Sequence, residues 1–128
     1  MHVYIDDDET TIEGTVSELR NLSEYIKRAR IGSVKSYELS SLATAEPYTA
    51  LLDNFILDCN GSKIKGSIDD NSLKIEFSEE MGEIMASYFE FDEDFVAGHH
   101  THFDQYGNED YFEDSCIDMI VQVSYKNT

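Results

Sequence analysis

Ile5–Glu18 reads IDDDETTIEGTVSE, and Ile68–Met81 reads IDDNSLKIEFSEEM, the same pattern met again 63 positions along the chain. Ile5, Asp6, Asp7, Ile12 and Glu13 recur as Ile68, Asp69, Asp70, Ile75 and Glu76, and Thr15 recurs as Ser78. Further on, Tyr25 falls on Tyr88 and Ile26 on Phe89, while Phe55–Leu57 lies close to Met119–Val121 under the same shift. A chance match in a chain rich in Asp and Ile is the competing reading. Duplication is favoured because the secondary-structure signals repeat in the same order.

Each half reads strand, acidic turn, strand, helix, strand, strand. In the first, His2–Ile5 and Thr10–Gly14 flank Asp6, Asp7 and Asp8, short side chains that favour turns. Thr15 has the mark of an N-cap, and Glu18 three residues later completes a capping box. Val16, Leu19, Leu22 and Ile26 follow at helical spacing; Arg28 and Arg30 suit the carbonyl end of the helix, and Gly32 is the expected stop. Val34–Leu39 and Asn54–Cys59 read as strands around a loop that holds Pro47. In the second half, Lys63–Ile68 and Leu73–Phe77 alternate across Asp69-Asp70-Asn71, a hairpin signal. Ser78 is placed to cap a helix with Met81, Ile84, Met85, Tyr88 and Phe89 on its apolar face, and His99–Asp104 and Ile117–Tyr125 supply the last strands. The expectation is an α+β fold: an antiparallel-rich sheet or sheets with two helices, built as a single domain over 1–128 with similar halves at 1–63 and 64–128.

Composition places limits on function. The 128 residues are 41% hydrophobic and 12% aromatic, enough to fill one core, yet 9 Lys and Arg stand against 27 Asp and Glu for a net charge of −18. Such a surface repels phosphate backbones and anionic lipid, which excludes direct nucleic-acid and membrane ligands and favours a cationic partner. Residues 1–63 hold 11 acidic and 6 basic side chains, or −5, whereas 64–128 hold 16 and 3, or −13. The excess gathers in Glu90, Asp92, Glu93, Asp94 and in Glu109, Asp110, Glu113, Asp114, with Phe91, Phe95, Tyr106, Tyr111 and Phe112 interleaved. Carboxylates beside aromatics suit a protein interface; taken one at a time, each aromatic fits the core better. Met1–Thr11 lacks the basic and apolar regions of a signal peptide, and no apolar run reaches membrane-spanning length, so a cytoplasmic location is expected. Cys59 and Cys116 match no zinc or dithiol spacing and are read as packed, reduced thiols.

His99, His100 and His102 with Asp104 are the strongest catalytic or metal-site candidates. Successive same-face strand positions lie about 7 Å apart, a poor fit to one tetrahedral ion. A polar edge strand or a pH-sensitive patch is the better account, and neither a metal nor a cofactor is assigned. There is no nucleophile elbow and no Gly-rich phosphate loop, and carboxylates are too common here to mark an acid and base. A binding protein is expected, not an enzyme.

Two stretches carry a family resemblance. TIEGTVSELRNLSEYI (Thr11–Ile26), a strand entering a helix through Gly-Thr, and HHTHFDQYGNEDYFEDSCIDMIVQV (His99–Val123), a His-bearing strand, an aromatic acidic loop and an apolar strand, resemble the immunity protein 32 family. These are small immunity proteins of bacterial polymorphic-toxin and contact-dependent growth inhibition systems. The resemblance covers about two thirds of the chain and rests on residue kinds. One departure is that the first half has Ser36, Tyr37 and Leu39 where the shift of 63 puts His99, His100 and His102. The resemblance implies a toxin inhibitor that binds a cognate toxin with a cationic active-site cleft, of nuclease type, in the cytosol. The residues expected at that contact are Glu90, Asp92, Glu93, Asp94, Tyr106, Glu109, Asp110, Tyr111, Phe112, Glu113 and Asp114. Two other classes stand beside it: an acidic DNA mimic or regulator of a nucleic-acid-binding protein, and an adaptor or metal-dependent enzyme.

Overall fold

Val3 and Ile12 meet across the first hairpin, β1 (His2–Asp6) and β2 (Glu9–Gly14), in a register that pairs His2 with Glu13 and Asp6 with Glu9. Sixty-three positions on, β6 (Lys65–Asp69) and β7 (Ser72–Glu76) pair Lys65 with Glu76 and Asp69 with Ser72, the same register at the same shift. Its two-residue connection puts Asp70 at φ 54°, the left-handed conformation that a primed hairpin turn requires and that Asp tolerates. The computed structural model describes residues 1–6, 9–39, 50–60, 63–91, 100–103, 112 and 117–123.

The first helix, α1 (Val16–Arg28), opens on the expected capping box. The Glu18 backbone N–H donates to Thr15 Oγ1 at 3.1 Å and the Thr15 N–H donates to Glu18 Oε1 at 2.9 Å. The Met1 amino group adds a second donor to the Glu18 carboxylate at 2.9 Å. Burial alone raises the Glu18 carboxyl, but the Thr15 backbone N–H, the amino terminus and the Thr15 hydroxyl outweigh it and hold the group below the usual range. Leu19, Leu22 and Ile26 are buried as their spacing requires. The helix stops before Gly32, because Ala29 turns to extended backbone and the Arg30 guanidinium donates to the Arg28 and Ala29 carbonyls at 3.1 Å each. Gly32, at φ 92°, serves instead in the turn into β3, its N–H bonded to the Cys59 carbonyl.

The second helix is shorter than its apolar spacing predicts. Ser78 Oγ accepts from Met81 N at 3.2 Å, a 3-10 turn covers Glu79–Met81, and α2 runs only over Gly82–Ser87. Met81 stands where α1 has Glu18, so the reciprocal half of the capping box is lost. Tyr88 and Phe89 follow in a tight turn, with Phe89 still buried. The two helices pack on each other closely at Gly82, where an added Cβ falls 3.4 Å from the Ile26 carbonyl oxygen.

The remaining strands are β3 (Val34–Glu38), β4 (Ala50–Leu51), β5 (Asn54–Asp58), β8 (His100–Phe103) and β9 (Met119–Val123). They complete two sheets, ordered β4-β1-β2-β9-β8 and β3-β5-β7-β6. All neighbours are antiparallel except β2 with β9 and β5 with β7. Matching β1 to β6, β2 to β7, β3 to β8 and β5 to β9 turns one order into the other. Each sheet therefore joins the hairpin of one half to the last strand pair of the other half through a single parallel seam. The fold is α+β, with two helices and mixed, mostly antiparallel sheets.

One equivalence differs from the sequence expectation. Ile12 pairs with Val121 and Ile75 with Leu57, which sets β5 against β9 at a shift of 64. Through the β3–β5 and β8–β9 registers, Val34 and Ser36 then correspond to His100 and His102. The expected match of Tyr37 to His100 is out by three residues, an odd number, and so also changes face. The cause is the differing length of the connections, which a constant shift cannot absorb. The short strand β4, which covers the outer edge of β1, was not foreseen either.

One continuous core joins both sheets and both helices, with Phe55, Phe77, Phe89 and Phe112 fully buried. Cys59 is a buried free thiol within it, and burial raises its pKa. Gly66 marks where the sheets touch: an added Cβ falls 2.8 Å from Met119 Sδ, and the Ile117 N–H donates to the Gly66 carbonyl at 3.1 Å. No helix among the described residues is long and apolar enough to cross a membrane.

Candidate partner-binding surface

In the sequence, the two acidic runs of the second half lie between the end of α2 and β9, on either side of β8. Phe91 is buried just beyond α2. The Thr101 hydroxyl of β8 donates to the Tyr88 carbonyl at 2.7 Å. Phe112 meets the Tyr88 ring edge-on at 6.2 Å between centroids and bridges Ile64 in a parallel backbone pair. Tyr88 thus touches both Thr101 and Phe112. These contacts are apolar or internally satisfied.

Phe112 corrects an expectation. It was grouped with the contact residues, yet its side chain has no exposed surface, so it offers nothing to a partner and belongs to the core. An aromatic flanked by Glu and Asp in sequence gives no period from which to tell the two roles apart. Glu90 is placed at the α1–α2 contact. Its carboxylate pairs with Lys27 and accepts from Ser23 Oγ at 3.3 Å. The Lys27 ammonium holds Glu90 below the usual carboxylate range against desolvation, with the Ser23 hydroxyl adding to the effect, while Glu90 raises Lys27. Glu90 retains 46% side-chain exposure, so a partner can reach it but must compete with Lys27. Asp92, Glu93, Asp94, Tyr106, Glu109, Asp110, Tyr111, Glu113 and Asp114 lie outside the described residues.

Beside this region, α2 and the turn before it present Glu79, Glu80 and Glu83 to solvent. Glu79 accepts the Ile31 N–H at 2.9 Å and pairs with Arg30 at 3.6 Å, leaving Glu80 and Glu83 as the outward carboxylates of this element. Exposed cations collect on the opposite half: Arg28 and Arg30 are 81% and 69% exposed at the end of α1, and Lys35 follows on β3.

Two polar clusters were missed by sequence reasoning. Glu13 accepts from the Tyr4 hydroxyl and from Gln122 Nε2, both at 3.0 Å, tying β1, β2 and β9 together. Tyr4 is nearly fully buried and needs such a partner. The diagonal of Tyr4 and Glu13 across the hairpin was readable once its register was known; the Gln122 contact, 109 residues away, was not. The second cluster is Asp58, Lys74 and Glu76 on neighbouring strands, with Lys74 Nζ 3.3 Å from Asp58 and 3.8 Å from Glu76. Both clusters are internally paired and read as supports of the sheets.

The histidines of β8 are placed by register. His100 pairs with Gln122 and His102 with Ile120; His99 and Asp104 lie outside the described residues. Among the described residues, no group of three or more His, Cys, Asp or Glu side chains is arranged to hold a metal ion. Compared with protein-family models, curated proteins and solved structures, the chain matches none.

Proposed function

We propose that the protein is an immunity protein that binds and neutralises a cognate toxin with a cationic, nuclease-type cleft in the cytosol, acting by occupation and not by catalysis. The observation that carries this reading is the concentration of charge, −13 in residues 64–128 against −5 in 1–63. A field this lopsided opposes compaction unless a cationic surface offsets it. Carboxylates can stand where substrate phosphates do, held by Arg and Lys of the cleft. The same field speeds encounter with a basic partner. Buried Phe91 and Phe112, the Tyr88–Phe112 ring contact and the Thr101–Tyr88 hydrogen bond support the reading by giving the segments that carry the acidic runs fixed neighbours in the fold.

The test is capture of the partner from the producing bacterium, followed by its affinity for a variant with Asp92, Asp94, Asp110 and Asp114 each changed to Lys. Circular dichroism checks that the variant folds. The expected result is a basic toxin bound at least about a hundredfold more weakly by the variant, a change of about 2.7 kcal/mol. Unchanged affinity removes the acidic runs from the interface. Capture of a nucleic-acid-binding regulator in place of a toxin replaces the immunity reading with that of a DNA mimic.

A further inference from the structure

The outer strands are β4 and β8 in one sheet and β3 and β6 in the other, and β8, like β3, pairs with no described residue on its outer side. β4 lies along β1, and Ile64 with Gly66 takes backbone contacts from Phe112 and Ile117 beside β6. No described residue pairs with the outer edge of β3. Leu39 N–H donates to Asp53 O and Cys59 N–H to Ser33 O, so the odd-numbered residues of this strand face β5. By antiparallel alternation, the N–H and C=O groups of Val34, Ser36 and Glu38 point away from the sheet. All three residues are exposed, Val34 at 56%, and neighbouring Ile31 is 79% exposed.

We propose that this open edge docks a second copy of the chain, β3 against β3 in antiparallel register about Ser36, to give one continuous eight-stranded sheet across two molecules. The strand is self-complementary in that register. Val34 lies opposite the partner's Glu38 and Ser36 opposite the partner's Ser36, so every outward N–H and C=O finds a mate. Lys35 lies opposite the partner's Tyr37 in the closer, non-hydrogen-bonded type of pair. Within one chain Lys35 Nζ already sits 5.2 Å from the centroids of both Tyr25 and Tyr37, an aromatic surround that the partner's ring extends. Lysine on an edge ordinarily deters strand addition. Here its charge rests on rings and leaves the main chain accessible. Electrostatics select this side as well. A chain of net charge −18 repels its copies through its acidic faces, whereas on this side Arg28 pairs with Glu24, Arg30 pairs with Glu79, and Lys35 further offsets the acidic charge.

Sedimentation equilibrium of the full chain, from low to high micromolar concentration, tests this independently of any toxin. The expected mass rises from that of one chain toward that of two, and association strengthens with added salt as repulsion between the acidic bodies is screened. Ser36→Pro removes an N–H that β5 does not use, and Ser36→Asp sets two carboxylates face to face at the dyad. Each is expected to weaken dimerisation at least about tenfold. Should Ser36→Pro fail to fold by circular dichroism, Ser36→Asp alone decides. A wild-type chain that stays monomeric throughout, or a folded Ser36→Asp variant that dimerises as well as wild type, overturns the proposal.

Discussion

The two halves run the same elements in the same order but spend their residues differently. In the first half, Thr15 and Glu18 close a full capping box and α1 extends for 13 residues. In the second, Ser78 caps alone, Met81 replaces the acid, and α2 is a 6-residue helix behind a 3-10 turn. The hairpins keep one register at one shift, whereas the segments after the helices drift to shifts of 64 and 66. The hairpins are held to the repeat; the segments that cap and connect diverge in length, and the later strand pairs shift with them. The acidic runs are in those connections, so the half that relaxed its helix is also the half that gathered charge.

The largest effect expected of this comparison comes from cutting the chain between the halves. Residues 1–63 and 64–128, made separately, are each expected to lack cooperative unfolding, because β2 and β5 lose the parallel neighbours that come from the other half. Mixing them should restore the far-ultraviolet spectrum and a single thermal transition. A half that folds alone would show that its sheet does not need the other.

A smaller effect separates the two caps. Thr15→Ala is expected to cost about 1 kcal/mol in urea unfolding, since it breaks a reciprocal pair at the start of a long buried helix. Ser78→Ala should cost measurably less, because it frees one N–H before a short turn. Equal losses would mean that the capping box adds nothing beyond a single hydrogen bond.

The smallest effect is the pH dependence of the tie between the halves. Glu90 is held below its ordinary value, so its contribution is present above the unfolded carboxylate pKa near 4.5 and is lost as pH falls through the lower folded value. Lys27 is held above its ordinary 10.5, so its contribution is present below that value and is lost as pH rises through the folded one. Lys27→Met should therefore slightly reduce the stability at neutral pH while leaving the acid and alkaline limits nearly unchanged. Glu18 adds an acid-side loss of the same sign that Lys27→Met does not touch.

The hairpins, both caps and the α+β class were legible because each is encoded locally: alternation in β6–β7, the Thr15–Glu18 spacing, the apolar face of α1. Which strands share a sheet was not. Ile12 and Val121 are both apolar strand residues, and nothing in either says that they pair. The end of α1 was misplaced because Arg30 satisfies the last carbonyls with its side chain, a role that composition does not distinguish from lying inside the last turn. Of the candidate interface, Phe112 was misread because the charges around it hide an inward ring. Glu90 was read for its charge, while its engagement by Lys27 depends on how two helices cross.

The exchange of strands between sheets sets an order of completion during synthesis. β2 is made well before β9, and the edge it offers to β9 stays open until that strand follows, with Glu13 waiting 109 residues for Gln122. Long-range parallel pairing of this kind is slow and leaves strand edges exposed in the nascent chain. Glu9 and Glu13 on β2 put charge along that waiting edge, the kind of residue that disfavours pairing between strand edges.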